Sequence, residues 1–359
     1  MLNISNFKNI VSLLVLGCAA GLNSCSTNNS NNIAQAQETP NIVASHNILC
    51  DLIETIAEDT VNLTCLIDSS QNPHTYRPTP SQGKAIEEAQ LILYGGYQLE
   101  PQIVELIEAT ETPAPKIPVY EQVVTEPIQT SAESHSHSEE SHSEESHSEE
   151  SHSEESHSEE SHSEESHSEK SDGEKAEELQ PDPHVWLNVE NAVKMVELIQ
   201  PILLQLNPQA AEQYLQNTTT LTETLWQLDT WIDEQIATIP QGRRVLVTTH
   251  DSFNYYAQAY YLEDYHTLQG LSSESSPTAS QVKKLATEIE ETGVPTIFVE
   301  FTTSDRVMRN VARTAKVEVS PDTLYADGLG EADNYIEMMS HNTCSIVNGL
   351  GGECQEFGK

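Results

Sequence analysis

From residue 41 onward, short apolar runs alternate with longer stretches in which apolar positions recur every three or four residues. That is the pattern of strands followed by amphipathic helices. It predicts a strand over 41–45, a helix over 48–58, a strand over 61–67, a helix over 81–88 and a strand over 91–94 that ends at Gly95-Gly96. After a polar interval, the run PDPHVWLNVENAVKMVELIQPILLQLNP reads as a turn leading into a helix. Pro208 then opens a longer helical stretch in which Tyr214, Leu221, Leu225, Leu228, Ile232 and Ile236 fall on one face. About thirty helical residues would span ~45 Å, the scale of a whole domain. The β-branched run Thr218-Thr219-Thr220 leaves open a kink between two ordinary helices. A second series follows, with strands over 244–248, 267–271, 295–300 and 316–320 and helices over 279–291 and 304–314.

Such alternation argues for mostly parallel sheets covered by helices. The fold class expected is α/β: two Rossmann-like lobes joined by a long rigid helix, with a ligand in the cleft faced by the strand C-termini. The organisation reads as a signal peptide over 1–25, a tether over 26–40, an N-terminal lobe over 41–207, a connecting helix over 208–240 and a C-terminal lobe over 241–359. The N-terminal lobe is interrupted over 131–180 by a polar insert.

Charge narrows the partners. Against 57 Asp and Glu stand 16 Lys and Arg, so nucleic acid is a poor partner and cations are good ones. The first residues carry Lys8 and an apolar core from Ile10 to Leu22, too short to be a comfortable membrane span. Cysteines follow small residues at Cys18 and Cys25, as at a bacterial lipoprotein cleavage site. Cys25 leaves the longer apolar core and is the expected lipidation point, with Cys18 the alternative. The mature protein is then expected outside the cytoplasm, anchored and monomeric. In that oxidising setting, proximity pairs Cys50 with Cys65 and Cys344 with Cys354, one of three connectivities four cysteines allow.

The insert repeats Ser-His-Ser-Glu-Glu with no apolar residue, so it cannot offset its own ordering entropy and is expected to be disordered. It holds eight of the 14 histidines: His135, His137, His142, His147, His152, His157, His162 and His167. Imidazoles and carboxylates at this density attract metal weakly and at several places.

Four motifs sit in turns or after strands, where side chains can converge. They are Asn72-Pro73-His74-Thr75-Tyr76, Asp182-Pro183-His184-Val185-Trp186, Thr248-Thr249-His250-Asp251 and Tyr325-Ala326-Asp327-Gly328. Each histidine alone is more often a hydrogen-bonded structural residue than a ligand. Together, three imidazoles and one carboxylate complete a tetrahedral zinc shell, or most of a manganese shell. Asp182, Asp251 and Glu300 could accept from the outer ring nitrogens. For Asp251 and Glu300, a helix cap and an ordinary salt bridge are equally good readings. His46, His266 and His341 are expected to do structural or surface work.

The ordered set NPHTYRPTP, DPHVWLNVENA, VLVTTHDSFNYYAQAY, HTLQGLSSESSPT, IFVEF and LYADGLG resembles the zinc and manganese receptors of bacterial ABC uptake transporters, of the ZnuA and TroA kind. The resemblance covers nearly the whole chain from residue 41. It implies one high-affinity site with His74, His184, His250 and Asp327 as ligands, a membrane permease as partner, and no enzymatic activity. Asn72 stands where the family commonly has aspartate, and Arg77 where glutamate often follows the tyrosine. Manganese receptors of this kind often carry glutamate where His250 sits, and zinc receptors often carry a His-rich acidic loop. The resemblance therefore implies Zn2+ as transported ligand, with Mn2+ the alternative. Two other classes compete. A secreted metallohydrolase lacks support, since there is no His-Glu-x-x-His helix and four protein ligands leave no open position. A passive metal buffer would need only the repeat.

Overall fold

The computed structural model describes residues 39–131, 179–271 and 277–359. The signal segment with Cys18 and Cys25, and the eight histidines of the repeat, lie outside the described residues.

The first half begins β1 (Asn41–Ala44), α1 (Asn47–Ala57), β2 (Asn62–Cys65), α2 (Pro80–Glu88), β3 (Leu91–Tyr94), α3 (Pro101–Ala109), β4 (Lys116–Pro118) and α4 (Val119–Val123). The four strands form one parallel sheet in the order β2-β1-β3-β4, with Ile42 opposite Leu63 and Leu91. The strands are buried on both faces. Ile42 and Ala44 join one core cluster with α1, whereas Val43 joins another with Ile86, Ile103 and Ile107. This is why parallel strands read as near-continuous apolar runs. The polar interval is stitched at its base by an antiparallel pair, β5 (Gln129–Ser131) and β6 (Leu179–Pro181).

Then come α5 (Val189–Leu206) and α6 (Ala211–Ile236), with a short turn of 3-10 helix at Pro208–Ala210 between them. The long helix is a single unbroken element, so the kink at Thr218–Thr220 does not occur. Thr219 and Thr220 hydrogen-bond back to the carbonyls of Leu215 and Gln216, which lets β-branched residues sit in a helix without competing for its ladder. Its buried face (Tyr214, Leu221, Leu225, Leu228, Ile232) packs against α1, α5 and the C-terminal helix Tyr335–Gly349, so it runs as a spine through the largest core cluster.

The second half continues with β7 (Val245–Thr248), α7 (Asn254–Ala259), β8 (Asp264–Thr267), α8 (Ala279–Thr292), β9 (Thr296–Ile297), α9 (Asp305–Ala315), β10 (Glu318–Val319) and α10 (Tyr335–Gly349). Parallel pairs β7–β8 and β9–β10 are joined by the bond from Phe298 N to Val247 O. Strand β8 lies earlier than the 267–271 expected. Leu268 and Leu271 are buried beyond the end of pairing, so their apolar signal reports packing rather than the ladder. Two disulfides, Cys50–Cys65 and Cys344–Cys354, tie α1 to β2 and α10 to the C-terminal tail. Among the described residues no helix is long and apolar enough to cross a membrane.

Close to the strand ends of the first sheet, Glu100 is fully buried. One oxygen accepts from Ser45 Oγ at 2.6 Å and Gly95 N at 2.7 Å, while the other has no hydrogen-bond partner. Burial pushes this carboxyl up to about 7. Raised above its ordinary value, the group contributes stability that is full below about pH 4.5 and is lost as pH rises through 7. Glu100→Gln should therefore remove about 2–3 kcal/mol of the decline in stability between about pH 5 and 8. Urea unfolding of the metal-free protein at the two pH values tests this, and an undiminished decline in the variant would assign it to other groups.

Candidate metal centre

Each of the four motif residues is set by local chemistry. Asn72 caps the turn Pro73–Thr75 by accepting from His74 N at 2.9 Å, and Pro73 fixes the first turn position. His184 lies three residues beyond the end of β6. Asp182 Oδ1 accepts from both His184 N at 2.9 Å and Nδ1 at 2.8 Å, so one oxygen fixes main chain and ring together. His250 leaves the end of β7, where Glu300 Oε1 accepts from Thr249 N and His250 N, both at 3.1 Å. Asp327 precedes Gly328, whose φ of 153° and contact with the Asn47 side chain exclude a Cβ.

The structure brings all four together, buried, with one ligand atom from each inside a 4.8 Å span. His74 Nε2 lies 3.2 Å from His184 Nε2, and His250 Nε2 lies 3.4 Å from it. Asp327 Oδ1 is 3.3, 3.5 and 3.2 Å from the Nε2 atoms of His74, His184 and His250. The remaining ring nitrogens explain the direction of the lone pairs. His184 Nδ1 donates to Asp182, and His250 Nδ1 donates to Glu300 Oε2, so in the neutral form of each ring it is the unprotonated Nε2 that faces inward. The carboxylate is divided in the same way. Asp327 Oδ2 accepts from Thr302 Oγ1 at 2.5 Å and Asn72 Nδ2 at 3.2 Å, whereas the buried Oδ1 accepts no hydrogen bond. A buried carboxylate oxygen without a donor, facing three imidazole nitrogens, suits a cation.

Burial and the neighbouring carboxylates pull the protonation of these groups in opposite directions. Burial lowers His74. Burial also opposes charge on His250, but the Glu300 and Asp327 carboxylates outweigh it and raise that ring well above its usual range. Burial works the same way on His184, but the hydrogen bond to Asp182 and the nearby Asp327 carboxylate raise it. Burial would raise Asp327, yet the His250 charge and the three histidine contacts hold it well below. Metal must therefore displace protons, and capture weakens as pH falls.

Of the three acceptors expected behind the ligands, Asp182 and Glu300 touch the rings directly. Asp251 does not. It accepts from Thr130 Oγ1 and from Asn254 Nδ2 at 2.7 Å, and Asn254 also donates to Asp182 Oδ2 at 3.1 Å. Asp251 thus fastens β5 and braces Asp182 through an amide. Sequence reading missed Thr302, Asn254 and the part played by Asn72. Asn72 was visible only as a departure from the family pattern, and its amide donates to the carboxylate across 255 positions of chain. His266 lies apart, beside Asp264 at 3.0 Å, and His341 reaches the Thr323 carbonyl.

Two parallel α/β halves along one long helix, with a buried cation-type donor set at their strand ends, define a metal-binding receptor of the two-lobed kind. The chain belongs to the family described as zinc-uptake complex component A, periplasmic, whose profile matches residues 42–349. It is a substrate-binding component of a metal ABC transporter, and the family is not enzymatic. Among its relatives, the manganese-binding lipoprotein MntA of Halalkalibacterium halodurans is 26% identical over 95% of this chain and 96% of its own length. The manganese ABC transporter substrate-binding lipoprotein PsaA of Streptococcus pneumoniae is 25% identical over 86% and 88%. In fold it is similar to the periplasmic zinc-binding protein TroA of Treponema pallidum, with a TM-score of 0.69 at 24% identity, covering 87% of this chain and 99% of that one. Fe(III)-bound YtgA of Chlamydia trachomatis matches with the same score at 23% identity, over 88% and 99%.

Proposed function

We propose that this protein captures Zn2+ between its lobes, over 41–207 and 241–359, with His74, His184, His250 and Asp327 as ligands, and hands it to a membrane permease. The observation that carries this reading is the convergence of three imidazole nitrogens and one carboxylate oxygen, with five of their six separations at 3.2–3.5 Å and all of them within 4.8 Å. Zinc with arms of about 2.0–2.1 Å at the centre of a tetrahedron requires edges of ~3.3–3.4 Å. Three nitrogens and a single inward oxygen also suit zinc better than manganese, which favours oxygen donors and binds a given nitrogen-rich site more weakly. Mn2+ is the second reading, favoured by the names of the relatives.

The repeat of residues 134–169 serves as an accessory collector or sensor. Its stem, β5 and β6, ends at Pro181, three residues before His184, so weakly held ions are delivered beside the site. Cys25, or alternatively Cys18, would carry a lipid anchor. The deciding experiment is competitive titration of zinc against manganese on the protein lacking 134–169. Zinc should displace manganese at one equivalent. A site that retained manganese under zinc challenge would keep the transport role and overturn the metal.

A further inference from the structure

His46 was expected to be an ordinary structural histidine, yet it stands directly behind the metal centre. The ring is fully buried between Tyr120 and the main chain of Asp327. Its Nε2 lies 2.9 Å from Asp327 O, and its Nδ1 lies 2.8 Å from Tyr120 Oη. A carbonyl can only accept, so Nε2 must carry the proton, and Nδ1 must then accept from the tyrosine hydroxyl. One face of the ring packs on Trp186 at 4.8 Å, and Trp186 follows His184 by two residues. His46 therefore lies against the backbone of one candidate ligand and, through the indole, against the turn of another.

Its neighbours on α1 continue the contact. Asn47 Oδ1 accepts from Leu329 N at 2.9 Å, and Asp51 Oδ2 accepts from Tyr335 N at 2.9 Å. Tyr335 Oη in turn donates to Trp186 O at 2.6 Å. The segment supplying the carboxylate is thus gripped at three points by the first β–α unit, 281 positions away in sequence at the His46 bond. The side-chain contacts of Asp327, from Thr302 and Asn72, aim its oxygens. The His46 bond fixes where the Cα from which they are aimed sits.

We propose that His46 is a positioning residue for metal retention: by holding the Asp327 main chain in register with the three imidazoles, it sets how slowly the ion leaves. This rests on the metal-capture reading above. A donor lost from the residues that orient a ligand costs about 10–100-fold in metal affinity, and the loss falls mainly on dissociation when ligand identity is unchanged.

The test uses the full chain and its variants His46→Leu, His46→Gln and Tyr120→Phe. Two signals are read. The first is the rate at which a chelator extracts the slowly released equivalent of Zn2+. The second is the visible absorption of the Co2+-loaded protein, which reports ligand geometry and which a purely structural role in the core would not move. His46→Leu should speed extraction by about 10-fold or more and alter the cobalt spectrum. His46→Gln, whose amide N–H can still donate to the Asp327 carbonyl, should recover most of the retention. Tyr120→Phe should lie between. Wild-type extraction and an unaltered spectrum in folded His46→Leu would overturn the proposal. Should that variant fail to fold, the same wild-type behaviour in Tyr120→Phe would overturn it. A wild-type chain with no slowly released ion would instead overturn the capture reading itself, a different result.

Discussion

Deleting residues 134–169 should leave one tight zinc site per chain, and adding His250→Ala to that deletion should weaken it by about 100-fold or more. The first half follows from where the donors are. The four clustered ligand atoms belong to residues that follow β2, β6, β7 and β10 in the chain, and none belongs to the repeat. The stem is closed by its own pairing, Gln129 with Pro181 and Thr130 with Gln180, so shortening what lies beyond it leaves His184 in place. The second half follows from coordination. Loss of a residue that merely orients a ligand already costs about 10–100-fold, and loss of the ligand itself removes the bond. His250→Ala also strips Glu300 of its ring partner and leaves a fully buried carboxylate. Breaking such a pair from one side costs about 3–5 kcal/mol, so the variant should melt lower as well. His266→Ala is the control: that ring sits beside Asp264, outside the site, and zinc binding should not change. Isothermal titration of the three proteins settles the matter. Disappearance of the tight site on deletion alone would make the repeat the binding element and the protein a buffer.

Much of this arrangement was legible in the sequence because it is written in local chemistry. A histidine after Asn-Pro, another after Asp-Pro and a third at a strand end are each placed by turn residues a few positions away. Short apolar runs and period-3.6 patterning located β1, β3, α1 and α8 to within a residue or two. The failures share a cause. Helix α3 and strand β4 fall in a stretch where one short helix buries only Ile103 and Ile107, too little periodicity to stand out. Helix α10 buries polar residues, Asn342, Thr343 and Ser345, because Asn342 hydrogen-bonds Tyr325 N and O, and a pattern of apolar positions cannot register that. The same holds at the site. Thr302, Asn254 and His46 act through partners 25, 72 and 281 positions away, and no local rule marks a threonine, an asparagine or a buried histidine for such work.

Glu300→Gln should lower zinc affinity by about 100-fold while leaving the protein folded, and the deficit should widen as pH rises. Glutamine preserves one half of what the carboxylate does. Its carbonyl oxygen can still accept from Thr249 N and His250 N, the two bonds that hold the end of β7. The other half is reversed. Where Glu300 Oε2 accepts from His250 Nδ1, the variant presents an amide N–H that can only donate. The ring must then move its proton to Nε2, the atom that lies 3.2 Å from Asp327 Oδ1 and faces the centre, and a protonated nitrogen has no lone pair to give. Turning the amide over instead would strand two buried backbone N–H groups, at about 1–3 kcal/mol each. Proton competition sets the pH dependence. In the native protein the Glu300 and Asp327 charges hold His250 well above its usual range, so protons compete with metal there even near neutrality. The variant loses the Glu300 share of that competition, which partly offsets its weaker binding at low pH. As pH rises the native ring sheds its proton and gains affinity, and the offset vanishes. Affinities measured at about pH 6 and 8 would show the difference, and imidazole nitrogen resonances would show the tautomer directly. Binding within about threefold of native at both pH values would mean that the orientation of His250 is set by something other than Glu300.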